Sequence, residues 1–286
     1  MRISLAIFVL CCLAACSTLK QPTHPQAKFD ADSFLAMAQE QEAGGDLSAA
    51  TQSYNHASEL YSSFGSVEGK LSCMTGLARL ALQEGNATEY SKAVTGMSRL
   101  VADIDQTLDY HLLLLKLYEQ QTRKDYAGMS ATAELREYFP LYAKLQISTI
   151  KLQADSYLGL SSSDMARELL KYGNEYRKQM KKLSWHNAAL VSSAWHAVAY
   201  HYYLNKDYLK ADRYIRDACE WDYRYANYPG LGHGYWLMGQ IQAKGNNSTT
   251  ALSNLRKAEI IFEALQDDTA RRAVTSEIAR LKGETP

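Results

Sequence analysis

Short side chains recur at fixed places along this chain, and that recurrence limits the fold more than any other feature. Ala38, the Gly45-Asp46 pair, Ala50, Tyr54 and Ala57 form one series, with twelve residues from Ala38 to Ala50 and seven from Ala50 to Ala57. A second series runs through Trp195, Ala199, Tyr202, Lys206-Asp207, Ala211, Ile215 and Ala218. A third runs through Tyr235, Gly239, Asn246, Ala251, Leu255 and Ala258. Weaker copies lie between them: Ala78, Gly85-Asn86, Tyr90 and Met97; Leu117, Lys124-Asp125, Met129 and Arg136; Ala154, Tyr157, Ala166, Leu170 and Gly173. The equivalent positions 38, 78, 117, 154, 199 and 239 are spaced by 40, 39, 37, 45 and 40 residues. Helices approach closely only where side chains are short, so a recurring small residue implies a stack of similar helix pairs. Met97, Leu117, Met129 and Arg136 are large, which leaves the register of the second and third copies open.

Apolar residues recur at helical spacing from Asp30 onward, and no stretch alternates as a strand would. Pro22 and Pro25 precede the body, Pro140 and Pro229 are placed between helices, and Pro286 is terminal, so all five prolines avoid helix interiors. After the sixth pair, Ala270, Val274, Ile278 and Leu281 make one apolar stripe. Arg271, Arg272, Glu277, Arg280 and Lys282 cover the remaining faces. An array of stacked pairs needs such a helix to cap its end. Lys plus Arg and Asp plus Glu both total 31, so no global field favours nucleic acid.

The N-terminus departs from this pattern. Arg2 precedes an apolar stretch from Ile3 to Ala15, too short to span a bilayer and of the length of a signal segment. It ends in Leu13-Ala14-Ala15-Cys16, which resembles the lipobox of bacterial lipoproteins, although an ordinary secretory signal also ends in small residues. The resemblance implies cleavage before Cys16, a diacylglycerol on its thiol, and residues 17–26 as an extended tether. Ser17 in the next position implies, by the same resemblance, export to the outer membrane, with the body facing the periplasm. Cys11 and Cys12 would leave with the signal, so only Cys73 and Cys219 remain, expected as packed free thiols.

The alanine spacing and turn pairs resemble the tetratricopeptide repeat, in a longer form than the 34-residue standard unit. The resemblance covers roughly residues 30–266 and implies an all-α, right-handed α-solenoid of about six helix pairs with a C-terminal capping helix. The expected organisation is a signal peptide at 1–15, a lipidated cysteine and tether at 16–29, the superhelix at 30–266, and the capping helix and tail at 267–286. In this family the first helix of each pair, helix A, lines a concave groove. Transferred by register, that places Tyr118, Lys151, Asp155, His196, Tyr200, Tyr203, His233 and Trp236 in the groove, with Trp195, Ala199 and Tyr202 in the core. The alternative for each is packing between helices.

Searches for catalytic chemistry find no GxSxG, GxGxxG, GKS or GKT, HExxH or CxxC. Gly230-Leu231-Gly232-His233-Gly234 is the only glycine cluster and is expected to be a flexible loop between repeats. His186, His196, His201 and His233 do not form a metal-ligand pattern, since His196 and His201 stand five apart and off one helix face. Asn86-Ala87-Thr88 and Asn246-Asn247-Ser248 are expected as turns. Arg177, Lys178, Lys181 and Lys182 are expected at a solvated helix end. The chain holds 20 tyrosines against 6 phenylalanines, with runs at 200–203 and 221–228. A phenol keeps apolar area compatible with water until a partner covers it.

The expected function is therefore a lipid-anchored scaffold that binds a peptide or helix of an envelope protein. It uses no cofactor, metal or nucleic acid, and its membrane contact comes from the N-terminal lipid. A structural subunit or assembly factor of an outer-membrane, pilus or secretion complex is the alternative. An enzyme built on His196, Tyr200, His233 and Trp236 is a remoter one.

Overall fold

The computed structural model describes residues 26–180 and 187–283. These residues hold thirteen α-helices and no strand. The first pairs are α1 (Gln26–Ala43) with α2 (Leu47–Ser63), and α3 (Val67–Gln83) with α4 (Ala87–Asp103). A short 3-10 turn (Gln106–Leu108) leads to α5 (Tyr110–Thr122) and α6 (Tyr126–Thr132), followed by α7 (Leu141–Tyr157) and α8 (Ser163–Gln179). The last pairs are α9 (Ala189–Leu204) with α10 (Tyr208–Arg224), and α11 (Tyr228–Lys244) with α12 (Ser248–Ala264), closed by α13 (Asp268–Lys282). The described residues form the expected all-helical array of six pairs and a closing helix.

Its construction rests on a joint repeated every twenty residues. Asp46, Ser66 and Asn86 cap α2, α3 and α4, and Asp207, Asn227, Asn247 and Asp267 cap α10 to α13. Each cap side chain accepts the backbone N–H three residues on, which satisfies a donor that the first helical turn leaves open. The residue before each cap has a positive φ: Gly45, Gly65 and Gly85 early, then Lys206, Ala226, Asn246 and Gln266. The cap N–H bonds back to a carbonyl five residues earlier, as in Asp46 to Gln41 and Asp207 to Tyr202. One left-handed residue therefore closes a helix and positions the cap of the next. Asn86 and Asn247 are such caps, in keeping with their expected turn role.

Seventeen-residue helices joined this way account for the forty-residue interval. The third pair breaks the pattern, with α5 at 13 residues and α6 at 7. Met97, Leu117 and Met129 are nonetheless fully buried, whereas Arg136 lies beyond α6 and is ion-paired with Asp109.

Three expectations change. The first helix begins at Gln26, inside the stretch assigned to the tether, supported by Gln26–Asp30 and Lys28–Asp32 contacts one turn apart. Pro229 lies within the first turn of α11, where its missing N–H costs nothing. The Gly230–Gly234 cluster is likewise helix, not loop. A Cβ at Gly234 would stand 2.3 Å from Cys219 Sγ, and one at Gly232 would stand 2.9 Å from Phe262, so these glycines let α11 press against α10 and α12.

The core follows the small-residue series: Ala38, Ala50, Ala57, Ala199, Ala211, Ala218, Ala251 and Ala258 are fully buried. Trp195 is buried, while Tyr202 is only half-buried and stacks on Tyr214. Cys73 and Cys219 are buried free thiols, each pushed up to about 12 by burial. In α13, Ala270, Val274 and Ile278 are buried, as a capping helix requires. Successive first helices, α3 with α5, α7 with α9 and α9 with α11, touch each other, and successive second helices make no comparable contact. The first-helix side is therefore the inside of the curve.

Candidate functional site

Cys16, the signal and the tether up to residue 25 lie outside the described residues, as do Lys181, Lys182 and His186. The eight groove candidates all sit on first helices, but the structure distributes them over five settings instead of one.

Lys151 and Asp155 form a structural knot at the end of α7. Lys151 Nζ donates to the Ser130 carbonyl at 2.6 Å, and the buried Asp155 carboxylate accepts from the Ser130 and Ser162 hydroxyls. Asp155 thus ties the third and fourth pairs together and does not face an open groove. His196 Nε2 lies 2.8 Å from Asp222 Oδ2, and the fully buried Asp222 also accepts from Asn227 Nδ2 at 2.6 Å. The neighbouring Cys219 thiol faces Met238 Sδ. His233 stacks on Trp236, both meet Phe262, and Trp236 Nε1 donates to Glu277 of the capping helix at 2.7 Å. Burial lowers the His233 pKa. Trp236 is half-buried and held to the capping helix, whereas His233 packs its ring on these neighbours and remains exposed on its other side.

Tyr200 and Tyr203 belong to a continuous aromatic row. Tyr126 stacks on Tyr157 at 4.4 Å between ring centroids, Tyr157 meets Tyr200 at 5.5 Å, Tyr200 meets Tyr203 at 6.2 Å, and Tyr203 meets Tyr208 at 6.0 Å. The row follows the turns from first to second helices in the third to fifth pairs. Exposed apolar side chains accompany it: Tyr157, Leu158, Leu160 and Leu204 are 53, 42, 48 and 40% accessible. A contiguous exposed apolar edge of this kind is the surface feature that marks association.

Tyr118 belongs elsewhere, to a cavity of about 320 Å³ lined by residues of the first five pairs. Arg79 lies over its ring at 5.1 Å and forks onto Glu42, with Nε 2.6 Å from Oε1. Asn187 Nδ2 donates to Gln39 Oε1 at 3.0 Å across 148 residues of sequence, closing one side of the space. Asp32, Tyr61, Glu68, His111 and Tyr142 complete its polar wall. Sequence reasoning passed over all five, because each is an ordinary polar residue in its own helix and they meet only through the curvature of the array. Among the described residues no group of acidic, His or Cys side chains is arranged to hold a metal ion. No helix among them is long and apolar enough to cross a membrane.

No family model and no curated protein matches this chain. Among solved structures, it is similar to a signal transduction ATPase with numerous domains that carries a tetratricopeptide repeat sensor, from Pyrococcus horikoshii. The TM-score is 0.53 at 15% identity, over 88% of this chain and 39% of that one. The present chain thus spans well under half of that protein. The likeness is one of fold: the thirteen described helices form an all-α solenoid of tetratricopeptide-like repeats.

Proposed function

We propose that this chain is a lipid-anchored adaptor of the bacterial envelope, which binds a segment of another envelope protein against its aromatic edge. The observation that carries the proposal is the row from Tyr126 to Tyr208 with its exposed companions Tyr157, Leu158, Leu160 and Leu204. Half-exposed phenol rings supply large rigid contact area at little entropic cost, and such side chains dominate the affinity of interfaces. Helical repeat arrays commonly present such surfaces to extended or helical segments. The anchor is supported by the apolar stretch that ends in Leu13-Ala14-Ala15-Cys16, followed by Ser17.

Two variants test the two halves. Cys16→Ser is expected to lose incorporation of radiolabelled palmitate and to leave the membrane fraction. Unchanged labelling would contradict the anchor. Tyr157→Ala with Tyr200→Ala is expected to lose a partner that crosslinks to the wild type in intact envelopes, by at least tenfold in recovery. Full recovery by a double variant with normal circular dichroism would contradict the edge.

A further inference from the structure

We infer that the cavity beside Tyr118 binds one neutral sugar ring, as a free monosaccharide or as a residue of a glycan. Charge is the first observation. Two cations and two anions line the space, Lys28 and Arg79 against Asp32 and Glu68. Lys28 Nζ lies 2.6 Å from Asp32 Oδ2, and Arg79 is forked onto Glu42. Glu68 Oε1 accepts the Tyr142 hydroxyl at 3.0 Å and the Tyr110 hydroxyl at 3.1 Å. These charges are held by partners within the protein, so an ionic ligand would have to separate existing pairs to gain its own. Removing one partner from a part-buried pair leaves the other charge uncompensated, which selects against ions. The occupant that fits carries no net charge.

Hydrogen-bonding capacity of both signs is left over. Arg79 spends Nε and Nη2 on Glu42 and Tyr54, which leaves Nη1. Gln39 accepts from Asn187 through Oε1, which leaves the Nε2 donors. Glu68 takes both hydroxyls on Oε1, which leaves Oε2 as an acceptor. The Gln146 amide and the Tyr118 hydroxyl bond to no other described residue, so each offers a donor and an acceptor. These groups come from α1, α3, α5 and α7 and reach a ligand from several sides. A flat heterocycle offers hydrogen bonds only along its rim, and a simple alcohol only at one end. A pyranose carries hydroxyls around its whole circumference, each both donor and acceptor. Its C–H faces need apolar surface, which the rings of Tyr61, Tyr118, Tyr142 and Tyr176 and the side chain of Leu114 supply. About 320 Å³ lies at the small end of ligand pockets and holds one such ring. An extended peptide fits worse, because the Asn187–Gln39 contact closes one side of the space. The site lies in a different part of the array from the aromatic edge and does not depend on the adaptor role.

Titration of the full chain with D-glucose, D-galactose and N-acetyl-D-glucosamine, each beside its methyl β-glycoside, tests the assignment. n-Butylammonium, acetate and L-alanine serve as cationic, anionic and zwitterionic probes. The side-chain amide ¹⁵N resonances of Gln39 and Gln146 give the readout, since an amide that only supports the fold would not move with ligand. Saturable binding of at least one sugar is expected, with both amides shifting. Its dissociation constant is expected to rise tenfold or more in Gln146→Leu and threefold or more in Tyr118→Phe, with circular dichroism unchanged. A methyl glycoside that binds as well as its free sugar would assign the site to a glycan residue, and preference for the free sugar to a monosaccharide. Absence of binding by every sugar would overturn the assignment. So would saturable binding of a charged probe in preference to the sugars, or sugar binding that is unchanged in both variants. Should Gln146→Leu fail to fold, Tyr118→Phe and the wild-type amide shifts decide. Failure here would leave partner recovery through Tyr157 and Tyr200 untouched, so the two proposals fail separately.

Discussion

His111 carries a penalty that pH exposes. Burial lowers its pKa from 6.5 to about 3, because a charged imidazole in that position would lose water without gaining a counter-ion. Between those values the unfolded chain binds a proton that the folded chain does not. The contribution to stability is therefore whole above pH 6.5 and falls as the pH drops toward 3. Between pH 7 and 5.5 the wild type is expected to lose about 1 kcal/mol that His111→Leu retains, on the scale of about 1.4 kcal/mol per pKa unit. Urea unfolding of both proteins at the two pH values measures this, and an equal loss in both would contradict the burial. Nothing in His111-Leu112-Leu113-Leu114 marked this residue, since its partner Thr75 stands 36 residues away in another pair. Trp195 and Ala199 were legible, because the small-residue series by itself fixes which helical face packs inward. Asp155 shows the limit of that register: correctly placed on a first helix, it is drawn into the wall by Ser130 and Ser162, which the periodicity does not locate.

The joint between helices is the element that makes the array regular. A left-handed residue followed by Asp, Asn or Ser closes one helix and opens the next, and five of these left-handed residues are not glycine: Lys124, Lys206, Ala226, Asn246 and Gln266. Each side chain there crowds its own carbonyl at a cost of about 1–2 kcal/mol, against about 0.5–1 kcal/mol for the extra freedom of an unfolded glycine. Lys206→Gly is accordingly expected to stabilise the protein by about 0.5–1 kcal/mol, and Gly65→Ala to destabilise it by about 1 kcal/mol, read by thermal melts. A destabilised Lys206→Gly would show that the lysine side chain contributes more than its backbone costs. The turn pairs themselves were visible in the sequence, but their twenty-residue rhythm was not, because Gly, Lys, Ala, Asn and Gln share no property except the conformation imposed on them. The Gly230–Gly234 stretch was misread for the converse reason. Glycine composition suggests a loop, and only the neighbouring Cys219 and Phe262 show that the glycines serve helix contact.

At the scale of the whole molecule, six helix pairs curve so that first helices face one another, and the curvature creates two features that no single repeat contains. One is the polar cavity closed by Asn187 and Gln39. The other is the tyrosine row, assembled from residues 126 to 208 across three pairs. The fold and its cap were readable because they depend on local periodicity. The edge was readable only at Tyr200 and Tyr203, and the cavity only at Tyr118, because their other members meet through the way pairs rotate against each other. Photo-crosslinking in intact envelopes tests the adaptor role most directly, with benzoylphenylalanine placed at Tyr157, at Tyr203, or at Ile260, which is 64% exposed near the end of a second helix. One protein partner crosslinked from 157 and 203, and not from 260, is the expected result. Crosslinks from Ile260 alone, or equally from all three positions, would contradict an aromatic docking edge.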